Sequence, residues 1–385
     1  MGKYLVTLVA VLSCLVSASF AEELTYSVRA KGYLDPDGEL VKNVTLVVQD
    51  GRIKKIGKRV QPPDGAVVLD RSTSFIGPGL IDIHVMLGTM GRTGESSRAI
   101  EPNAHAVDLV NASHPDFLRA ASAGVTTVVL SPSSVNIVGG ATYVLKTGDG
   151  EASSRQLGDG PLYLSFASRA FAADRTPTSL QGALDELRRR LVSTRGDQKD
   201  ESAFAKWARS ERAAFVEVDD AAAMSSLARF AKEEGLKCIP VHANYAAERL
   251  EDARSFNQPI VLGVYEFSDP FRFTRAPAIL ESVGVPVALT SQPPRYAPEL
   301  LRVGAAIAMR QGLSRKAALA SITTIPAEIL GLQQRIGKIA PGMDADFVLY
   351  DGDPMRLSSR IEAVFIGGRM VYSRKHTNSE SEVVR

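Results

Sequence analysis

The sequence predicts an α/β protein: an eight-stranded (β/α)8 barrel carrying a small β domain built from both chain ends. Two observations carry this. Eight short apolar runs, separated by stretches of helical period, fill the middle of the chain, and β-rich segments of matching character stand at either end. The runs are 80–83, 125–130, 142–145, 162–166, 214–218, 236–241, 260–264 and 285–289, with amphipathic helices expected at 221–234, 299–310 and 315–330. At the N-terminal end, NVTLVVQ (43–49) alternates and is β-branched, and Asp50-Gly51 turns it into 52–56. At the C-terminal end, DFVLY (346–350) reads as a strand and AVFIGGRMVY (363–372) as a hairpin turning at Gly367-Gly368. The polar stretches 148–160 and 193–202 read as surface loops.

The expected division is a signal peptide over 1–21, the N-terminal segment of the β domain over 22–76, the barrel over 77–331, the C-terminal segment of the β domain over 332–374 and a polar tail over 375–385. The leader reads in the order of a secretory signal: Lys3, an apolar run over 4–16, then Ser19-Phe20-Ala21 before Glu22. It implies a secreted or periplasmic protein; the alternative is anchoring by an uncleaved N-terminal segment. No later run is long and apolar enough to span a bilayer.

Cleavage after Ala21 removes Lys3 and Cys14, taking the formal charge from +2 to +1 and leaving one cysteine, Cys238. A single cysteine excludes an internal disulfide and a thiolate metal cluster, and in GLKCIPV it reads as a small buried hydrophobe. A charge this near zero offers no basic field for nucleic acid.

The motifs VVQDGRIKKIG (47–57), FIGPGLIDIH (75–84), FLRAASAGVTTVVLSP (117–132), ITTIPAEILGL (322–332) and RIGKIAPGMDADFVLYDGDP (335–354) resemble, in this order, the amidohydrolase superfamily. The likeness covers about 25–372, and NIVGGATYVLKT (136–147) is similar to its imidazolonepropionase-like branch. The resemblance implies a TIM-like barrel with a small β-sandwich domain built from both chain ends, and one or two divalent cations at the C-terminal mouth, hydrolysing carbon–nitrogen bonds other than peptide bonds. A cation there polarises a carbonyl and lowers the pKa of bound water.

Carried over position by position, the ligand pattern is altered. The first strand ends His84-Val85-Met86 where relatives carry His-X-His, and a thioether is a poor ligand for zinc-type ions. Lys146 matches the strand position of a bridging, carboxylated lysine; its alternative is an ordinary ion-paired lysine. Glu217 and Asp219 stand where the fifth strand's histidines are expected, although Asp219 or Asp220 also suits the N-cap of the helix that follows. His242 matches the sixth-strand histidine. In LTSQP (289–293), Ser291 replaces the eighth-strand aspartate, so the catalytic candidates at the mouth are Asp219 and Ser291, with Asp269 as another proton acceptor. His105 and His376 read as surface residues and His114 as part of a turn.

His84, Glu217 and His242 would then form a three-ligand site with an open position, with Lys146 as a carboxylated bridge if two metals bind. The expected cofactor is one divalent, zinc-type ion, or none. Replacement of ligand positions on separate strands favours a pseudoenzyme binding a small molecule at the barrel mouth; the alternatives are an active, atypical mononuclear hydrolase using His84, Glu217 and His242, and an interaction protein whose pocket has closed. No membrane partner is expected beyond the export signal.

Overall fold

The computed structural model describes residues 25–89, 94–95, 97–148 and 155–374. The expected leader (1–21) and polar tail (375–385) lie outside the described residues.

The chain ends do build one sheet. Strands β1 (Thr25–Leu34), β2 (Leu40–Gln49), β3 (Arg52–Gly57) and β4 (Val67–Pro78) join β13 (Phe347–Tyr350), β14 (Ile361–Ile366) and β15 (Arg369–Ser373) in the order β15-β14-β13-β4-β1-β2-β3. β4 is the splice, parallel to β1 and antiparallel to β13, with Phe347 opposite Pro78. The two-residue turns read from the sequence are left-handed at both positions: Asp50 has φ 50° and Gly51 72°, Gly367 55° and Gly368 78°. That is the twist a tight hairpin needs. Val28, Leu46, Val48, Phe347 and Phe365 pack as this domain's core, the two phenylalanine rings stacked with centroids 4.4 Å apart.

The chain crosses from this sheet into the barrel at Gly79, where a Cβ would lie 2.1 Å from Oγ1 of Thr126. Eight barrel strands follow in chain order: β5 (Leu80–Val85), β6 (Val125–Leu130), β7 (Val138–Lys146), β8 (Gln156–Ser165), β9 (Ala214–Glu217), β10 (Cys238–Val241), β11 (Ile260–Leu262) and β12 (Val287–Leu289). The sheet curls until its edges meet. The Met86 N–H donates to Pro293 O at 2.9 Å, and Thr290 Oγ1 donates to Asp82 Oδ1 at 2.6 Å. Ile81, Val129, Val144, Phe215, Ile239 and Val261 fill the interior. A second, larger apolar layer lies between the strands and the outer helices.

One strand departs from the parallel pattern. β7 runs antiparallel to both β6 and β8. Only residues 131–137 separate β6 from β7, and a crossover returning a strand in parallel needs a dozen or more.

The helix Ala221–Glu234 forms where expected, with Asp220, and not Asp219, as its cap: Oδ1 accepts from the Ala223 N–H at 2.6 Å. The helix expected over 315–330 is two, Arg315–Ser321 and Thr324–Ile329. Pro326 has no N–H for the carbonyl of Ile322, four residues back, and that carbonyl accepts instead from the Ile81 N–H of β5 at 2.9 Å. Among the described residues no helix is long and apolar enough to cross a membrane.

Candidate metal centre at the barrel mouth

Three strand ends bring His84, Glu217 and His242 together, from β5, β9 and the residue after β10. Each offers one ligand atom, and these atoms lie within 4.8 Å of one another. His84 and Glu217 are 2% and 1% exposed; His242 is partly buried, its backbone left-handed at φ 57°. Nδ1 of His84 stands 3.4 Å from Nε2 of His242, with the rings nearly perpendicular. Ligands about 2.1 Å from a tetrahedral ion are separated by about 3.4 Å.

Burial holds the His84 imidazole well below its ordinary value of 6.5, and the charges of His242 and Arg169 add to this. His242 is lowered too, first by burial and partly offset by Glu217. Both rings are therefore neutral at neutral pH and keep a lone pair for a cation. Two neutral imidazoles and a carboxylate are a donor set that fits a zinc-type ion.

Both oxygens of Glu217 are engaged. Oε1 accepts from the Arg169 guanidinium at 2.6 Å, and Oε2 accepts from the Tyr163 hydroxyl. Tyr163, wholly buried on β8, also stands 3.1 Å from Nε2 of His84 and stacks on its ring. Beside the third ligand, Gln292 Nε2 lies 3.3 Å from Nε2 of His242.

The remaining sequence candidates stand elsewhere. Ser291 is buried, and both its hydroxyl and its N–H donate to Oδ2 of Asp82 rather than to the triad. Asp82, fully buried, has its carboxyl raised by desolvation and drawn back by those bonds and the Thr290 hydroxyl. Asp219 sits at the rim, where Oδ2 accepts from the N–H of Ser168 at 2.8 Å and its hydroxyl at 2.7 Å.

Lys146 corrects the expectation of a bridging ligand. It lies opposite Thr127, early in β6, because β7 runs backwards. That places it at the far end of the barrel, where Nζ bonds Asp344 at 2.7 Å and Asp346 at 2.9 Å. Asp269, the other expected proton acceptor, is used by its own loop: Oδ2 accepts from the Glu266 N–H at 2.7 Å.

Tyr163, Arg169, Asp82 and Gln292 were not anticipated from sequence. A tyrosine inside PLYLS reads as core, and Arg169 follows its strand in a loop of no recognisable pattern. Asp82 had one usable signal, its place two residues before His84 on the same strand.

Residues 201–372 match the model of an amidohydrolase family. The chain is 25% identical to an amidohydrolase of Thermotoga maritima MSB8, with a TM-score of 0.80 over 91% of this chain and 100% of that one. The chain is thus similar to the amidohydrolase superfamily in both sequence and fold. Within the superfamily it is 26% identical over 412 residues to the amidohydrolase tasK of Hapsidospora irregularis, covering 88% of this chain and 41% of that protein. A shorter stretch of 111 residues is 33% identical to a dihydroorotase of Bacillus cytotoxicus, covering 29% of this chain and 22% of the relative. The chain thus spans well under half the length of these two relatives.

Proposed function

We propose that the chain is an exported hydrolase of a non-peptide carbon–nitrogen bond, amide or cyclic amide, working with one divalent ion held by His84, Glu217 and His242. The convergence of three suitable donors at the mouth of a superfamily barrel carries this reading. A bound ion would supply carbonyl polarisation and an acidified water. The protein's own role is preparation. Burial keeps both imidazoles unprotonated, and Tyr163 fixes the carboxylate of Glu217 while standing against His84. Asp82 ties Thr290 and Ser291 to β5, closing the barrel beneath the site. The dihydroorotase likeness supports a cyclic amide among the substrates to try, and the small molecule would enter at the barrel mouth.

Ser291 favours a second reading, a binder without turnover. Its hydroxyl is spent on Asp82, so the end of the eighth strand presents no carboxylate to take a proton from water. Zinc-loaded mature protein, residues 22–385, assayed on N-acyl amino acids and cyclic amides, separates the two. Turnover above buffer that disappears in Glu217→Gln supports the hydrolase. Zinc retained with no turnover across the panel supports the binder. Export rests on the order of residues 1–21 and predicts a mature N-terminus at Glu22, read by mass spectrometry of the secreted fraction.

A further inference from the structure

Arg169 is an unusual neighbour for a metal ligand. It sits in the short turn Ser168–Ala170 after β8, and that turn is pinned to the rim by Asp219 through the N–H and hydroxyl of Ser168. From there its side chain, 45% exposed, reaches down to a carboxylate that is 1% exposed. A guanidinium has five N–H donors. Among the described residues only one acceptor is bonded to it, Oε1 of Glu217, which leaves donors on the solvent side of the mouth. The surroundings are positive as well. Arg295 is exposed on the segment after β12, close enough for its charge to act on His242, as that of Arg169 does, while Asp219 at the rim is already bonded to Ser168.

A cation approaching Glu217 meets a charge of its own sign already bonded there. An anionic ligand entering the mouth meets an arginine with free donors, in a field to which Arg295 adds positive charge. These tendencies oppose each other until both ligands are present: an anion that draws the guanidinium away exposes Oε1 to the ion, and the ion replaces the charge that Glu217 loses.

We propose that Arg169 is a latch on the metal site that selects anionic substrates: it neutralises Glu217 in the resting protein and turns to a carboxylate on the incoming amide, freeing Oε1 for the ion. The substrate class is an amide bearing a carboxylate, such as an N-acyl amino acid. The inference rests on the metal-site reading above and adds a thermodynamic requirement. Because coupling between two ligands is reciprocal, the anion must tighten metal binding as much as the metal tightens anion binding.

The test is a calorimetric titration of tag-free mature protein with zinc, for wild type and Arg169→Met, each alone, with N-acetylglycine, and with the uncharged N-acetylglycinamide. A hydrogen bond to a charged group sets the scale, so Arg169→Met should bind zinc about tenfold more tightly than wild type, or better. N-acetylglycine should tighten zinc binding in wild type and leave the variant unchanged, and N-acetylglycinamide should do nothing in either. Equal zinc affinities with no effect of the anion overturn the latch and leave the metal site standing. Absence of zinc binding in both proteins overturns the metal site and the latch with it. Should Arg169→Met fail to fold, Arg169→Lys keeps the charge and gives up the planar fork. In that variant the N-acetylglycine effect should shrink, and an effect of wild-type size would again overturn the latch.

Discussion

At the scale of single residues, the mouth is a set of buried polar groups that satisfy one another. Tyr163 is the hinge of that set, because its hydroxyl serves Glu217 and its ring supports His84. Tyr163→Phe leaves a buried carboxylate oxygen without its donor, and the expected cost is about 1–3 kcal/mol of folding stability, read by urea denaturation. The histidines set a pH dependence. Their folded pKa values lie below 6.5, so as pH falls through that value the unfolded chain takes up protons that the folded one refuses. Stability contributed by these groups is therefore complete above about pH 7 and lost progressively below 6.5. Asp82 acts in the opposite sense, since its folded carboxyl is raised above 3.8, so the comparison has to be made within a pair of proteins. Denaturation at pH 7.5 and 5.5 should show a smaller drop for His84→Gln than for wild type; an equal drop would mean that His84 is protonated in the fold. His84, Glu217 and His242 were legible in the sequence because each ends a strand of a recognised barrel. Tyr163 and Arg169 were not, since their roles exist only through partners 54 and 48 residues away.

At the scale of elements, the pattern of apolar runs identified all eight barrel strands but carried no information about their direction. Periodicity is the same for a strand read either way. Direction is encoded in loop length, in the seven residues between β6 and β7, and it is this reversal that sets Lys146 at the opposite end of the barrel from the mouth. The break within 315–330 was likewise written in Pro326, although the partner that makes it tolerable, the Ile81 N–H, belongs to a strand more than two hundred residues earlier. Gly79 is the element-scale position most sensitive to change. Gly79→Ala drives a methyl into Thr126, whose hydroxyl is buried against β5, and should cost about 1–3 kcal/mol. Combining it with Thr126→Ser, which removes the methyl but keeps the hydroxyl, should recover little, because the hydroxyl is the nearer atom.

At the scale of the whole molecule, the barrel has two polar ends with separate tasks. The mouth holds the candidate metal centre, and the opposite end holds Lys146 against Asp344 and Asp346 on the segment leading into β13. Lys146 thereby fastens the barrel to the sheet made from the two chain ends. Lys146→Met takes the ammonium from two buried carboxylates, leaving Asp344 with Arg335 and Asp346 with the Gly367 N–H, and should destabilise the protein by about 1.5–3 kcal/mol while leaving the metal content of the folded fraction unchanged. A carboxylated bridging lysine would give the reverse, with ion lost and fold retained. That both chain ends join one sheet was readable from their matching strand-and-turn patterns; the ion pairs that dock this sheet onto the barrel were not, because they depend on the reversed strand.

The proposed function stands on one divalent ion held by His84, Glu217 and His242. Its most direct test is metal content by plasma mass spectrometry of mature protein, purified without chelator, soaked in zinc and dialysed. About one zinc per chain is expected, lost in both His84→Ala and His242→Ala and kept in Lys146→Met. A wild-type protein that retains no zinc, or that retains it equally in both histidine variants, would contradict it.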